Sequence, residues 1–242
     1  MKLAAYQDGV IVEMTDSGDL TVVDKERDPE DQQRRLLRLS DGTTAGPFLV
    51  LSLSQRNITV GSVFTEAVLQ ELVRTDALAA ARELSIRYLA GRSRTEAEVK
   101  QYLTRHSYHA SLADEVVQWL KEQNLLDDGK LSERYVEQTI SSGASRSRRD
   151  LAQRLLARGV ASDQVKQVMR GSQYDETGGA WRDGQRKLAE IDRKLSRGSE
   201  TLSDKERNRK RWELLAGYLY RKGYAGDTVR LTLRKLLQSE DS

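Results

Sequence analysis

The sequence has no cysteine, which excludes a disulfide framework, a thiol nucleophile and a cysteine-ligated zinc or iron–sulfur centre. Proline occurs twice in 242 residues, and aromatic residues make up 6% of the chain. This composition is typical of an exposed helical protein and disfavours a β-sandwich or an α/β enzyme with a deep pocket. No run approaches the roughly 18 apolar residues of a membrane span, and residues 1–14 lack the apolar segment of a signal peptide. We therefore expect a cytoplasmic protein with no membrane association.

Motifs for common enzyme chemistry are also missing. The sequence contains neither of the glycine-rich nucleotide-binding motifs G-x-x-x-x-G-K-[ST] and G-x-G-x-x-G. No serine, histidine and aspartate are spaced as a catalytic triad. His106 and His109 lie at a helix end, where a metal site would need further ligands, and we interpret them as surface residues. Asp127 and Asp128 precede a helix and are interpreted as N-capping residues rather than acid–base catalysts. We expect no enzyme activity, no cofactor and no metal.

Charged residues are abundant, at 32% of the chain, and their signs are unevenly distributed. Residues 1–142 contain 17 Lys and Arg against 23 Asp and Glu, whereas residues 143–242 contain 23 against 14. A basic C-terminal part favours an anionic partner, either nucleic acid or an acidic protein surface. A solvated, arginine-rich helical surface explains the same counts equally well.

The N-terminal residues have the pattern of a small, mostly antiparallel β module. Runs with β propensity at 10–14 and 20–23 flank an Asp-Ser-Gly-Asp turn. A second pair of runs, at 35–39 and 48–53, flanks an Asp-Gly-Thr-Thr turn. Beyond this module the apolar spacing becomes helical, with Thr65 as a capping residue.

From residue 76 onward the helical pattern repeats three times. Each copy has a helix with two apolar residues one turn apart and a C-cap position, followed by a second helix that begins near an aspartate. The matched positions are Val99, Leu103, Ser107 and Asp114 in the first copy, Leu151, Leu155, Gly159 and Asp163 in the second, and Leu215, Leu219, Gly223 and Asp227 in the third. Each aspartate is expected in the first turn of its helix, where free backbone N–H groups favour a carboxylate.

A further helix precedes each pair, so the repeated unit has three helices. The apolar stripes of these helices are Ala77, Ala81, Leu84 and Tyr88, then Leu131, Tyr135, Val136 and Ile140, then Trp181, Leu188, Ile191 and Leu195. Thr95 with Glu98 and Ser147 with Asp150 stand at matching repeat positions, and both have the spacing of a capping box. A unit of about 50 residues buries little apolar surface alone, so neighbouring units are expected to stack.

The sequence therefore predicts a mainly α fold, in which tandem three-helix repeats form an elongated array after a small β-rich N-terminal module. The predicted domains are the β-rich module at 1–72 and three-helix repeats at 76–126, 127–172 and 180–238. The third repeat has polar breaks at 172–179 and 196–203 and a charged extension at 204–211. Trp212, which follows that extension, is expected to face the core.

Basic residues crowd the second and third repeats and are the remaining functional signal. Arginine is favoured where phosphates or carboxylates are bound through two parallel hydrogen bonds. On charge alone, we select as candidate contacts with a protein or nucleic-acid partner Arg146, Arg148, Arg149, Arg158, Arg186, Lys187, Arg209, Lys210, Arg211, Arg221 and Lys222.

Several segments carry the motifs of one known family. Residues 81–99 place an arginine before a threonine-capped helix, and residues 125–136 combine Leu-Leu-Asp-Asp with a helix start. Residues 149–160 have the order leucine, leucine, Arg-Gly and a hydrophobic residue, and Leu-Ser-Asp-Gly occurs at 39–42 in the β-rich start. These segments resemble the RecX family of RecA regulators, most closely over 77–170.

The resemblance implies a non-enzymatic protein that binds RecA filaments on single-stranded DNA. Such a protein modulates the recombinase, ATPase and co-protease activities in DNA repair, recombination and the SOS response, with inhibition the expected direction. The implied partner is the RecA filament, with single- or double-stranded DNA as a further ligand, and the chain is expected to be a monomer. Two alternatives stay open: a sequence-nonspecific nucleic-acid-binding helical repeat protein, and a helical scaffold that binds an acidic protein.

Overall fold

The structure, a computed structural model, describes residues 19–197 and 203–237. Within these residues the chain is mainly α-helical and begins with a small antiparallel sheet, which confirms the predicted fold class. It divides into two compact units, residues 1–126 and 127–242, called here the first unit and the second unit. The finer division into four domains stays a prediction. No helix in the described ranges has the length and apolar character needed to cross a membrane.

The sheet belongs to the first unit and has the strand order β3-β2-β1-β4. Its strands are β1 (Leu20–Arg27), β2 (Arg34–Leu39), β3 (Thr44–Leu49) and the two-residue β4 (Val63–Phe64). All neighbouring pairs are antiparallel, and β2 and β3 form the hairpin predicted around the Asp-Gly-Thr-Thr turn. The predicted strand at 10–14 lies outside the described residues.

The predicted strand at 48–53 is wrong in its second half. β3 ends at Leu49, and α1 (Val50–Gln55) begins at the next residue. β3 lies at the edge of the sheet, and the buried carboxylate of Asp76 accepts the Leu49 N–H at 2.6 Å at the junction of β3 and α1. Burial raises the pKa of Asp76, although the Leu49 N–H and the Arg34 guanidinium, 3.3 Å away, act in the opposite direction.

Helix α2 (Glu66–Gly91) connects the sheet to the first group of three helices. Thr65 caps it as predicted, by accepting a hydrogen bond from the Val68 N–H. Leu72, near its start, is buried in the same core as the strands. The helix continues through residues 73–75, where the sequence placed the end of the β-rich module, because none of these residues breaks a helix.

Helices α3 (Glu96–Arg105) and α4 (Ala110–Glu122) complete this group and share a core with the C-terminal half of α2. Thr95 and Glu98 form the complete capping box predicted for α3. The Thr95 hydroxyl accepts the Glu98 N–H, and the Glu98 carboxylate accepts the Thr95 N–H. The helix start is therefore determined by local sequence.

The prediction for the start of α4 is wrong. Asp114 lies in its second turn and binds Lys100 at 2.7 Å, while His109 caps the helix by accepting the Ser111 N–H. The first copy has three more residues between its C-cap and this aspartate than the other copies. These three residues belong to α4 rather than to the loop before it. The N-cap of α4 therefore lies further from Asp114, at His109.

The second unit contains, among the described residues, six helices in two groups of three. They are α5 (Asp128–Ser141), α6 (Arg148–Ala157), α7 (Ser162–Gly171), α8 (Thr177–Arg197), α9 (Asp204–Arg221) and α10 (Gly226–Leu237). Leu151 and Leu155 are fully buried in the core of the first group, and Leu215 and Leu219 in that of the second. The apolar pairs of the repeat alignment are therefore core positions.

The three C-cap positions of the alignment all have left-handed backbone, with φ of 68° at Ser107, 85° at Gly159 and 82° at Gly223. Asp163 and Asp227 lie in the first turns of α7 and α10, as predicted. Two of the three copies thus combine a glycine C-cap with an acidic helix start.

Three apolar residues assigned to the core are exposed instead. Ile140, Trp181 and Trp212 have 49%, 41% and 51% of their surface accessible. In α9 the inward-facing position is taken by Arg211, one turn before Leu215. Its guanidinium is paired with a carboxylate, so the adjacent Trp212 points to the side of the helix.

Candidate functional site

A polar groove in the second unit brings together basic residues from distant parts of the chain. One wall is the start of α6, and the other is the end of α9 with the turn that leads to α10. Its volume is about 440 Å³. The lining residues are Ser145, Arg146, Ser147, Arg149, Asp150, Gln153, Arg154, Tyr220, Arg221, Lys222, Gly223 and Tyr224. Five of these side chains are cationic and one is anionic, and we call this site the basic groove.

Direct hydrogen bonds hold the two walls together. Ser147 caps α6 by accepting the Asp150 N–H, and its hydroxyl donates to the Lys222 carbonyl at 2.8 Å. Gly223 completes the close approach, since a Cβ there would lie 3.0 Å from the Ser147 hydroxyl and 3.3 Å from the Arg149 side chain. Its left-handed φ is a second reason for glycine at this position.

A buried carboxylate also connects the two walls of the basic groove. Glu176 is only 4% exposed and accepts the N–H of Arg148, the first residue of α6, at 2.7 Å. Its other oxygen accepts the N–H of Ala225, next to the start of α10, at 2.8 Å. One negative charge therefore satisfies free donors at two helix N-termini. Tyr174 adds a hydrogen bond from its hydroxyl to the Arg146 carbonyl at 2.7 Å.

The carboxylate in the groove is shared between two arginines. Asp150 binds Arg146 at 2.9 Å and Arg154 at 3.0 Å, each one helical turn away. Desolvation by itself raises the pKa of Asp150, but the hydrogen bonds from the two guanidinium groups together lower the pKa below its usual value. Asp150 is thus an anion that orients two cations.

A second buried carboxylate lies beside the groove. Asp183 is 1% exposed, accepts the Tyr224 hydroxyl at 2.9 Å and lies 3.7 Å from the Lys222 ammonium group. Arg186 also binds it. Burial, followed by the hydrogen bond to Asp183 and its charge, raises the pKa of Tyr224. The phenol therefore stays a neutral donor and keeps α8 against the turn between α9 and α10.

Four of the residues selected from the sequence line the basic groove: Arg146, Arg149, Arg221 and Lys222. Arg149 and Arg221 are exposed, and within the described ranges neither forms an ion pair. Their guanidinium groups are therefore free to bind an anion. The selection omitted Arg154, which the i, i+4 spacing to Asp150 would have placed on the same helix face.

Other selected residues point into the protein. The Arg148 guanidinium donates to the carbonyls of Tyr174, at 2.7 Å, and of Met169. Arg211 is 8% exposed and binds Asp192 at 2.8 Å. Arg158, at the C-cap of α6, is half-buried. We interpret Arg148 and Arg211 as structural, since internal acceptors already engage their cationic groups.

The last selected residues form two separate surfaces. On α8, Arg186 binds Asp183 and Lys187 binds Glu190, and both Lys187 and Lys222 lie over the Tyr218 ring. This surface is therefore next to the basic groove. Arg209 and Lys210 lie on the charged first half of α9, where Arg209 is 3.8 Å from Glu213.

The described residues contain no group of three or more histidine, cysteine or acidic side chains that would hold a metal ion. His106 and His109 are both exposed, and the His106 Nδ1 lies 2.9 Å from the Tyr102 carbonyl oxygen. Asp127 caps α5, and the hydrogen bond from the Lys130 N–H lowers its pKa.

Comparison with known proteins shows a similarity to one family. The model for RecX, first three-helix domain, matches residues 81–120, which cover part of α2, all of α3 and most of α4. The regulatory protein RecX of Halorhodospira halophila (strain DSM 244 / SL1) is 29% identical over 151 residues, which are 62% of this chain and 84% of the relative. The chain is similar to the RecX family in sequence and in fold.

RecX relatives differ in how much of their length matches. The regulatory protein RecX of Lactococcus lactis subsp. cremoris (strain SK11) is 30% identical over 114 residues, 47% of this chain, and the match spans only 42% of that relative. A crystal structure of regulatory protein RecX has the same fold, with a TM-score of 0.67 and 18% identity over 91% of this chain and 99% of the other.

Proposed function

We propose that this RecX-like protein binds filaments of the RecA recombinase on single-stranded DNA and inhibits their recombinase, ATPase and co-protease activities. The basic groove, together with the Arg186 and Lys187 surface, is the proposed contact with the anionic partner. The observation that carries the proposal is the convergence of Arg149 and Arg221, both free of ion pairs in the described ranges, in the second unit of a RecX-family fold.

The basic groove suits an extended polyanion better than a small molecule. Its walls are fixed by the Ser147 and Glu176 hydrogen bonds, and Asp150 orients Arg146 and Arg154, so these parts of the groove are ordered before a ligand binds. It is also open along the surface, which lets phosphates or acidic side chains of an extended partner enter without a conformational change.

The decisive experiment measures RecA ATPase activity on single-stranded DNA with and without this protein. We expect the rate to fall as the protein is added. Fluorescence anisotropy should show tighter binding to the filament than to free RecA or bare DNA, since an extended partner offers several contacts at once. An unchanged ATPase rate together with no filament binding would rule the proposal out.

A second candidate function is sequence-nonspecific binding of nucleic acid. The excess of cations in the basic groove also favours this function, because phosphate contacts supply most of the free energy of nonspecific binding. Equal affinity for bare single-stranded DNA and for the filament would favour this candidate over the RecA-directed one.

A further inference from the structure

The first unit contains a second groove, of different character, between α1, the middle of α2 and α4. Its volume is about 680 Å³, and most of its lining side chains are apolar. Leu51 and Ile86 have 59% and 45% of their surface exposed. The lining residues are Gln33, Leu49, Val50, Leu51, Gln55, Thr75, Leu78, Ala79, Arg82, Glu83, Ile86 and Trp119. We call this site the apolar groove. Exposed apolar side chains gathered in one concave site are typical of protein-binding surfaces.

One cation lies in the apolar groove without an anionic partner. The Arg82 guanidinium carbon is 4.8 Å from the centre of the Trp119 ring. The Arg82 Nε is buried and has no hydrogen-bond partner among the described residues. In the same ranges Arg82 forms no ion pair, since Glu83, the acidic residue of the groove, binds Arg87. A buried donor of this kind is costly unless a ligand satisfies it.

We propose that the apolar groove docks a segment of the RecA protein itself, in which apolar side chains flank a carboxylate. The apolar side chains would cover Leu51 and Ile86, and the carboxylate would pair with Arg82 on the Trp119 ring. Arginine and tryptophan are among the residues that most often dominate protein interfaces. This inference rests on the proposed function for the identity of the partner.

The first test compares charge insertions at two residues of similar exposure. Leu51→Asp places a carboxylate in the apolar groove, and the matched control Val60→Asp places one outside it, at a residue that is 56% exposed. An acidic residue is tolerated in the first turn of α1, so Leu51→Asp should leave the fold intact, which circular dichroism checks. We expect Leu51→Asp to weaken binding to the RecA filament by roughly tenfold or more, and Val60→Asp to bind as wild type.

The second test addresses the proposed carboxylate of the partner segment. Arg82→Gln removes the charge and should weaken filament binding by roughly tenfold, whereas Arg82→Lys, which keeps it, should bind between that variant and wild type. Hydrogen exchange on the wild-type complex should show protection at residues 50–55 and 78–86. Wild-type affinity for Arg82→Gln would overturn the proposed carboxylate.

The outcomes separate this inference from the proposed function. If the wild-type protein binds the filament and Leu51→Asp binds as well as Val60→Asp does, the apolar groove is not a docking site. If the wild-type protein does not bind the filament at all, the proposed function fails and this partner assignment fails with it. Loss of basic-groove contacts with phosphates should also reduce the salt dependence of binding.

Discussion

Single buried carboxylates determine several local features of this protein. Asp76 accepts the Leu49 N–H at the junction of β3 and α1, Glu176 accepts donors at the starts of α6 and α10, and Asp183 accepts the Tyr224 hydroxyl. Each is at most 4% exposed, and each has hydrogen-bond donors that offset part of the cost of its desolvation. At this scale, buried polar residues connect the ends of elements that are distant in sequence.

We expect Glu176→Gln to lower the free energy of unfolding by about 2 kcal/mol, because a glutamine oxygen accepts only one of the two backbone donors and its amide group opposes the other. Urea denaturation measures this change. The exposed Glu133→Gln on α5 is the control and should be close to neutral. Equal stability of the two variants would contradict the role assigned to Glu176.

The raised pKa of Asp76 predicts how the stability of the protein depends on pH. Its pKa in the folded protein lies above the ordinary 3.8. The folded state therefore holds this proton more tightly, and the associated stability is present below about pH 4 and is lost as pH rises through the folded pKa. Asp76→Asn cannot ionise, so its stability relative to wild type should improve from about pH 4 to about pH 7. Urea unfolding of both proteins across this range tests the trend, and a constant difference would contradict it.

At the scale of helices, the repeat alignment identifies which face of each element is buried. Leu155 is completely buried in the core of α5–α7, whereas the adjacent Leu156 is 45% exposed. Two neighbouring leucines on α6 thus have opposite environments, which helical periodicity alone explains.

We expect Leu155→Ala to reduce the free energy of unfolding by about 2–5 kcal/mol, because the lost methyl groups leave a cavity in a closed core. Leu156→Ala should change it by no more than about 0.5 kcal/mol. Thermal melting followed by circular dichroism compares the two. Similar melting temperatures would place Leu155 on the surface and invalidate the alignment.

At the scale of the whole molecule, the two units differ in charge. Residues 1–126 contain 15 Lys and Arg against 19 Asp and Glu, and residues 127–242 contain 25 against 18. The mostly apolar groove lies in the acidic unit, and the basic groove in the basic one. The proposals above accordingly assign a protein contact to the first unit and an anionic contact to the second.

Charge reversal tests the second of these contacts. We expect Arg149→Glu combined with Arg221→Glu to weaken filament binding at low salt and to leave the fold intact, because both side chains are exposed. Each lost phosphate contact should reduce the slope of log affinity against log salt concentration by roughly 0.7 on single-stranded DNA. Arg209→Glu with Lys210→Glu asks whether the contact extends to the first half of α9.

The matched control is Arg134→Glu with Arg170→Glu, which reverses two exposed charges of the second unit outside the basic groove. It should have nearly wild-type affinity at the same salt concentration. If the Arg149 and Arg221 variant behaves like this control, the basic excess of the second unit is a solvated surface and the groove is not the contact.

Most of the helical architecture was predictable from the sequence, whereas the contents of the site were only partly so. The capping box at Thr95, the left-handed Gly159 and the buried Leu155 all follow from spacing within one element. The predictions were wrong where a residue distant in sequence contacts the element concerned. Asp76 binds the Leu49 N–H at the junction of β3 and α1 from 27 residues away in sequence, and the Arg211 ion pair takes the position expected for Trp212.

The sequence by itself determined the repeat, the helix caps, the buried faces and the motifs of the family, because these depend on residues within a turn or two of one another. Only the tertiary structure decided which arginines meet. Ser147 and Lys222 are 75 residues apart and in direct contact, so Arg149 and Arg221 line one groove. Arg148, next to Arg149 in the chain, is turned inward by the carbonyl of Tyr174, 26 residues away. Charge counts cannot distinguish these neighbours, since the acceptors that orient each side chain belong to other elements of the fold.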